Sequence, residues 1–213
     1  MLLPRDFFAA SSVRVAPELL GRVLEHRTAD GLVAVELTEV EAYTGRSDPA
    51  SHAYRGKTAR NAVMFGPPGH AYVYFTYGMH FCVNMVCLGE EGSASAVLLR
   101  AGAVITGEDL ARARRTRGAA RIASRDLARG PARLCQALAI DRSLDGADVC
   151  AADSPLRICA GADHPVRSAH IATGPRVGVS SAAEIPWRFW YEGDPTVSVY
   201  RPHVPRRTRL VTP

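Results

Sequence analysis

Lysine is nearly absent from this chain. Lys57 is the only one among 26 basic residues, so all the others are arginine. GC-rich coding would give that bias without a functional cause, but the shortage still constrains chemistry. Catalysis through a Schiff base needs an amine activated by desolvation or a neighbouring cation. Lys57 lies in a Gly-Lys-Thr loop with no obvious source of either. Cysteine is scarce as well. The five thiols, Cys82, Cys87, Cys135, Cys150 and Cys159, are odd in number, form no C-x-x-C pair and lie mostly in apolar surroundings. That pattern fits buried, reduced thiols and offers no zinc-ligand spacing, so no metal is expected. No apolar run approaches the roughly 20 residues of a membrane span. The opening Met1-Leu2-Leu3-Pro4-Arg5-Asp6 lacks the apolar stretch of a signal peptide. An intracellular protein with no membrane partner is the expectation. There is no internal repeat and no low-complexity linker.

What is present begins with size and charge. A chain of 213 residues suffices for one well-buried core and is short for two substantial domains. The net charge of +5, 26 basic against 21 acidic residues, permits an anionic partner without requiring one. A short helical piece around Asp6 to Ala10 precedes a predicted helix from Pro17 to about Leu24. Leu32 to Tyr43 alternates as a strand should. A loop rich in Gly, Ser, Asp and Pro runs from Gly45 to about Gly69. Ala71 to Tyr77 and Met79 to Leu88 read as two strands joined at Gly78, and Ala96 to Ala101 as another. Glu108 to about Arg129 reads as a very basic helix, which Gly130-Pro131 stops before starting the next, Ala132 to Ile140. Arg176 to Val179 and Thr196 to Tyr200 read as late strands. Strands in runs with short turns, without β-α-β alternation, predict a mixed α/β (α+β) protein with a largely antiparallel sheet.

Several positions carry chemical interest. On the strand Leu32 to Tyr43, a period of two puts Val33, Val35 and Leu37 on one face, and Glu39, Glu41 and Tyr43 would continue it. Carboxylates at the end of a core stripe either emerge into solvent or enter a cleft where one becomes a general base. Tyr72, Tyr74 and Tyr77 crowd one short segment, and Tyr77 beside Gly78 is the ring that core packing explains least. An exposed aromatic at a hairpin tip is how proteins wedge into a duplex and hold an unstacked site open. Asn84 and Arg100, each inside an apolar run, and His52 in the loop are ordinary when taken alone. Between Arg112 and Arg133 there are eight arginines and one acid, Asp126. On a continuous helix Arg117, Arg121, Arg125 and Arg129 would share one face, either solvated or in contact with phosphates.

Six segments taken together say more. Glu39-Val40-Glu41-Ala42-Tyr43, Arg60-Asn61-x-x-Met64-Phe65, Tyr72-Val73-Tyr74-x-x-Tyr77-Gly78-Met79, Val97-Leu98-Leu99-Arg100-Ala101, Gly130-Pro131-Ala132-Arg133-Leu134-Cys135-Gln136-Ala137-Leu138 and Arg176-Val177-Gly178-Val179 closely resemble the alkyladenine (3-methyladenine) DNA glycosylase family. They occur in register from about Asp6 to Tyr200. The resemblance implies one glycosylase domain over residues 1–205, with a curved sheet flanked by helices, a hairpin that enters the minor groove, and no cofactor. Residues 206–213 would be a basic, disordered tail. By the same resemblance Glu41 activates the attacking water, with Arg100 and the backbone carbonyl of Val177 orienting it. Tyr43, His52, Tyr74, Asn84 and Leu98 line the base pocket, with Asn84 placed to clash with the amino group of guanine. Tyr77 fills the gap in the duplex, and Thr58, Arg60, Met64, Met79 and His80 lie along the DNA.

The implied activity is base-excision repair. Damaged purines of the 3-methyladenine, 7-methylguanine, hypoxanthine and ethenoadenine class would be flipped from duplex DNA and hydrolysed off, leaving an abasic site. The lysine shortage argues against a strand-nicking step. The partner would be double-stranded DNA, met by a monomer in the cytoplasm near the nucleoid. A damage-binding module without catalysis is the alternative, although it would have no need for Glu41 and Arg100 together. The H-x-E and P-C-x-x-C signature of the zinc base deaminases is missing.

Overall fold

The computed structural model describes residues 1–76, 78–89, 93–116, 121–161 and 170–204. Two short helices open it, α1 (Arg5–Phe8) and α2 (Ser12–Leu19). The hairpin β1 (Val23–Thr28) and β2 (Gly31–Tyr43) follows, then the hairpin β3 (Ala71–Thr76) and β4 (His80–Cys87), then β5 (Ser95–Thr106). Helices α3 (Glu108–Thr116) and α4 (Pro131–Leu138) precede β6 (Leu156–Cys159), β7 (Ile171–Gly174) and β8 (Arg188–Tyr191). The eight strands form one sheet in the order β3-β4-β5-β2-β1-β6, with β8 pairing both β2 and β7. Every strand pair is antiparallel. The mixed α/β class with an antiparallel sheet is therefore the observed one. No helix among the described residues is long and apolar enough to cross a membrane.

The first helix differs from expectation. Pro17 looks like a helix start, yet it lies inside α2. Ser12, Val15, Ala16 and Leu19 supply the buried spacing of three and four that defines the helical face. Val23 and Leu24 belong to β1, on the other side of Gly21, whose φ of 77° ends the helical path. The basic helix α3 is described over Glu108–Thr116; 121–123 are not helical and 124–126 form a single 3₁₀ turn, so Arg121, Arg125 and Arg129 do not lie on one continuous helical face. Arg117 lies outside the described residues. Several of these arginines bond backbone instead: Arg112 bonds the Ile122 carbonyl, Arg114 that of Ala137, Arg115 that of Leu127 and Arg129 that of Val197. Arg176–Val179 and Thr196–Tyr200 are irregular, while β6, β7 and β8, four residues each, carry too little pattern to be seen in advance. All five cysteines are free; Cys82, Cys87 and Cys135 are buried, while Cys150 and Cys159 are only partly so.

The central strand β2 matters most. Its first part pairs with β1 on one edge and its last part with β8, while β5 runs along the other edge throughout. The β2–β5 register slips at Leu37/Glu39, where Thr38 is extra, and again at Glu39/Val40, where Arg100 is extra. The core stripe Val33, Val35, Leu37 therefore continues through Val40 and Ala42. Glu39, Glu41 and Tyr43 are thereby turned to the opposite face, which corrects the simple period-of-two expectation. Gly102 lets the strands approach this closely, since a Cβ there would lie 2.2 Å from the Glu36 carbonyl oxygen.

Candidate active site

Four neighbouring strands alternate in phase. Val73, Val83, Val97, Leu99, Val40 and Ala42 point into the main core. The residues between them, Tyr74, Cys82, Asn84, Leu98, Arg100 and Tyr43, line a cavity of about 340 Å³ on the other face. His52, Met64 and Pro131 complete the walls, and the 177–180 turn crosses one side. The volume and the mixture of rings with a few polar groups suit a small planar ligand.

Glu41 is completely buried beside this cavity, behind residues that line it. The backbone N–H of Val177 donates to its Oε1 at 2.7 Å, and the Tyr43 hydroxyl donates to its Oε2 at 2.8 Å. Arg100 Nη1 stands 3.3 Å from the same Oε2. A carboxylate has roughly four acceptor sites, and among the described residues Oε1 takes a single hydrogen bond, which leaves a site on it. Burial, and then the Glu41 charge, push the Tyr43 phenol well above its ordinary range, which keeps it a donor. Burial alone would lower the Arg100 pKa, but Glu41 and Glu39 more than offset it and the net direction is upward.

Glu39, equally buried, is bonded on both oxygens. Its Oε1 accepts from Arg100 Nε at 2.8 Å, Arg188 Nε at 2.7 Å and Ser198 Oγ at 2.9 Å, and its Oε2 accepts from Ser198 N at 2.7 Å. Burial acts to raise this carboxyl, but the two guanidiniums and the Ser198 bonds hold it below the usual carboxylate range.

The aromatic wall is built from the 52–61 loop and β3. Tyr72 and Tyr74 stack with ring centroids 5.4 Å apart, and the His52 ring meets Tyr74 edge-on at 4.5 Å. His52 Nδ1 lies 3.1 Å from the Tyr72 hydroxyl. Desolvation, and then the Arg60 charge, hold the His52 imidazole below its ordinary value. Burial pushes Tyr74 well up. Asn61 ties the loop, donating to the carbonyls of His52 and Gly56 and accepting from Thr58 N and Oγ1. Asn84 pairs across strands with Tyr72 and Leu98 and faces the cavity.

The wall nearest Glu41 depends on an ion pair that sequence reading does not find. Arg176, 1% exposed, grips Asp48 through Nη1 at 2.6 Å and Nη2 at 2.8 Å, and donates to the Ala42 carbonyl at 3.0 Å. Its guanidinium lies over the Tyr43 ring at 4.6 Å and near the Trp187 ring at 5.2 Å. The pair thus holds a cavity-lining ring and, one residue on, the N–H that binds Glu41. Asp48, Arg188 and Ser198 also escape notice, because nothing local links an acid to an arginine 128 positions away.

The remaining candidates are scattered. Met64 does not lie on an exposed surface: it is 2% exposed, packs with Tyr72, Val86, Ala94 and Ala96, and lines the cavity. Thr58 and Arg60 are exposed, Arg60 donating to the Phe75 carbonyl at 3.2 Å. Met79, at the β3–β4 hairpin, is 68% exposed, and His80 is half-buried. Tyr77 lies outside the described residues, as does the 206–213 tail. Val177 contributes its N–H to the site; its carbonyl has no hydrogen bond among the described residues. Lys57 is exposed and does not line the cavity. Among the described residues no group of three or more His, Cys, Asp or Glu could hold a metal ion.

Comparison with known proteins gives the family. The family model described as methylpurine-DNA glycosylase matches residues 6–195. A Streptomyces avermitilis protein, provisionally named a 3-methyladenine DNA glycosylase, is 59% identical over 209 residues, 97% of this chain and 95% of its own. Proteins of the same provisional name from Leifsonia xyli and Frankia casuarinae are 53% and 49% identical, covering 93% and 96% of this chain and 92% and 94% of their own.

Proposed function

Because the chain belongs to the methylpurine-DNA glycosylase family and is a DNA N-glycosylase, a hydrolase, we propose that it turns an alkylated or deaminated purine out of duplex DNA and detaches it with a water activated by Glu41. One observation carries this reading: a buried carboxylate with an open acceptor site lies beside an aromatic cavity, held by Val177, Tyr43 and Arg100.

The chemistry follows from charge. Breaking the N-glycosidic bond gives a transition state with cationic character at the sugar, which a nearby carboxylate stabilises while it accepts the proton of the attacking water. A purine alkylated at N3 or N7 is itself cationic and leaves neutral, so it needs no acid. Tyr43 and Tyr74 are its cation–π partners, worth about 0.5–2 kcal/mol, which offsets part of the few kcal/mol of unstacking. A His52 held neutral adds no repulsion to a cationic base. Asn84 is the group placed to reject the exocyclic amine of guanine. The exposed hairpin residues Phe75 and Met79, with Arg60 and Thr58 on the adjoining loop, form the face for the duplex, with Tyr77 as its wedge and the monomer as the acting unit. Lys57, exposed and not among the lining residues, supports hydrolysis without a lyase step, leaving an intact abasic site.

Single-turnover base release from duplexes carrying 3-methyladenine, hypoxanthine or ethenoadenine tests this. The wild type should release base, and Glu41→Gln should bind the lesion but lose about 10²–10⁴-fold in rate. Borohydride should trap no covalent adduct. If both proteins bind lesion DNA and neither releases base, the chain is a damage-binding module instead.

A further inference from the structure

Arg100 touches two carboxylates, and they differ in what else holds them. Glu41 accepts from Val177 and Tyr43, which line the cavity, whereas Glu39 accepts four hydrogen bonds from Arg100, Arg188 and Ser198, of which Arg188 and Ser198 do not line it. Glu39 is therefore the less suited of the two to activate a water. Burying it is expensive unless its partners need it. The four ions Glu39, Glu41, Arg100 and Arg188 form a balanced cluster of two negative and two positive charges, while Arg176 is matched separately by Asp48. Without Glu39, the Arg188 guanidinium would be left uncompensated beside the Arg100–Glu41 pair. The site would then carry an excess positive charge where the sugar itself becomes positive.

We propose that Glu39 is a positioning residue: it clamps the Arg100 guanidinium against Glu41 and cancels the charge of Arg188, leaving the Glu41 charge available to the reacting sugar. The geometry of the clamp is direct. Arg100 presents Nε to Glu39, Nη1 to Glu41 and Nη2 to Ser198 Oγ at 3.3 Å, and Ser198 is itself bonded to Glu39. All three guanidinium nitrogens are therefore committed, and the plane of the group follows from Glu39 and Ser198. The bulge at Thr38 and the extra residue at Arg100 bring these side chains to the same face.

This inference rests on the glycosylase reading, and one experiment separates their failures. Single-turnover release and lesion binding are measured on a hypoxanthine duplex and on methylated DNA for wild type, Glu39→Gln and Glu39→Gln/Arg188→Gln. Glu39→Gln should bind within about threefold of wild type yet release base roughly 30- to 100-fold more slowly. The double variant restores charge balance and should regain about tenfold of that loss. A residue with a merely structural role would show the reverse, with the double variant slower still. Release by Glu39→Gln at the wild-type rate, or a double variant slower than the single, overturns the proposal. Where Glu39→Gln does not fold, the double variant decides alone: release within about tenfold of wild type supports the proposal, and a deeper loss refutes it. A wild type that releases no base sinks the glycosylase reading and this inference with it.

Discussion

Residues 33–37 and 39–43 belong to one strand and share one partner, β5, yet they bury opposite kinds of side chain. The first stretch places Val33, Val35 and Leu37 in the core, all fully buried. The second places Glu39 and Glu41, also fully buried, on the cavity side, and gives the core Val40 and Ala42 instead. In the first, burial is favourable in itself, because apolar area leaves water. In the second it is tolerable only because guanidiniums, hydroxyls and backbone N–H groups have been brought to the same place. The boundary between them is one extra residue. Thr38 is buried in the bulge and its hydroxyl lies 2.7 Å from that of Thr196, which ties the bulge to the segment carrying Ser198. A charged site can thus be set beside a hydrophobic core with no break in the strand.

Shifting the phase of the second half should have the largest effect. Inserting one alanine between Glu39 and Val40 turns Glu41 toward the core stripe and takes Val40 and Ala42 out of it, since a one-residue slip exchanges the two faces. The expected result is a protein without a cooperative thermal transition, read by circular dichroism. A variant that melts cooperatively and still releases base would show that the phase set by the bulge does not separate the two halves.

Leu37→Ala probes the apolar half. It should cost about 3 kcal/mol of stability, read by denaturant titration. Base release at a temperature where the variant is folded should be unchanged. A rate loss as deep as that of Glu41→Gln would mean that the halves are mechanically coupled and the contrast is false.

The smallest effect concerns pH. Glu39 is held below its ordinary value of about 4.5 in the folded protein, so below that pH the unfolded chain takes up the proton first. Its contribution to stability is therefore present above about pH 4.5 and is lost as the pH falls through the lower folded value. The stability difference between wild type and Glu39→Gln should shrink as the pH drops below about 4.5, measured by denaturant titration across that range. A constant difference would mean that shape, not charge, is what Glu39 supplies.

Much of this was legible in the linear chain, and the reasons are local. β2, the β3–β4 hairpin and the start of α4 at Gly130-Pro131 are written in period-two alternation, a turn glycine and a proline at the first helical position. The cavity-lining rings and Asn84, Leu98 and Arg100 share one face because strands alternate, and their segments can be recognised in order. Where period counting failed, a long-range partner had overridden it. The bulge depends on how β5 meets β2 across a register shift. Met64 is buried because a second apolar cluster closes over it. The described residues 121–126 of the basic run leave the helical pattern, and Arg112 bonds Ser124 and the Ile122 carbonyl there.

The sequence alone determined the antiparallel mixed architecture, because alternation and local turn chemistry are properties of neighbours along the chain, and its resemblance to a glycosylase family named the candidates Glu41, Arg100, Tyr43, Tyr74 and His52. Only the tertiary structure decided which carboxylate is held by the cavity-lining residues, which arginines neutralise the other, and that Arg176 and Asp48 hold the Val177 turn against Glu41. The physical reason is that a buried charge is set by the partners that surround it, and here those partners come from β5, β8 and the irregular C-terminal segments, far away in the chain.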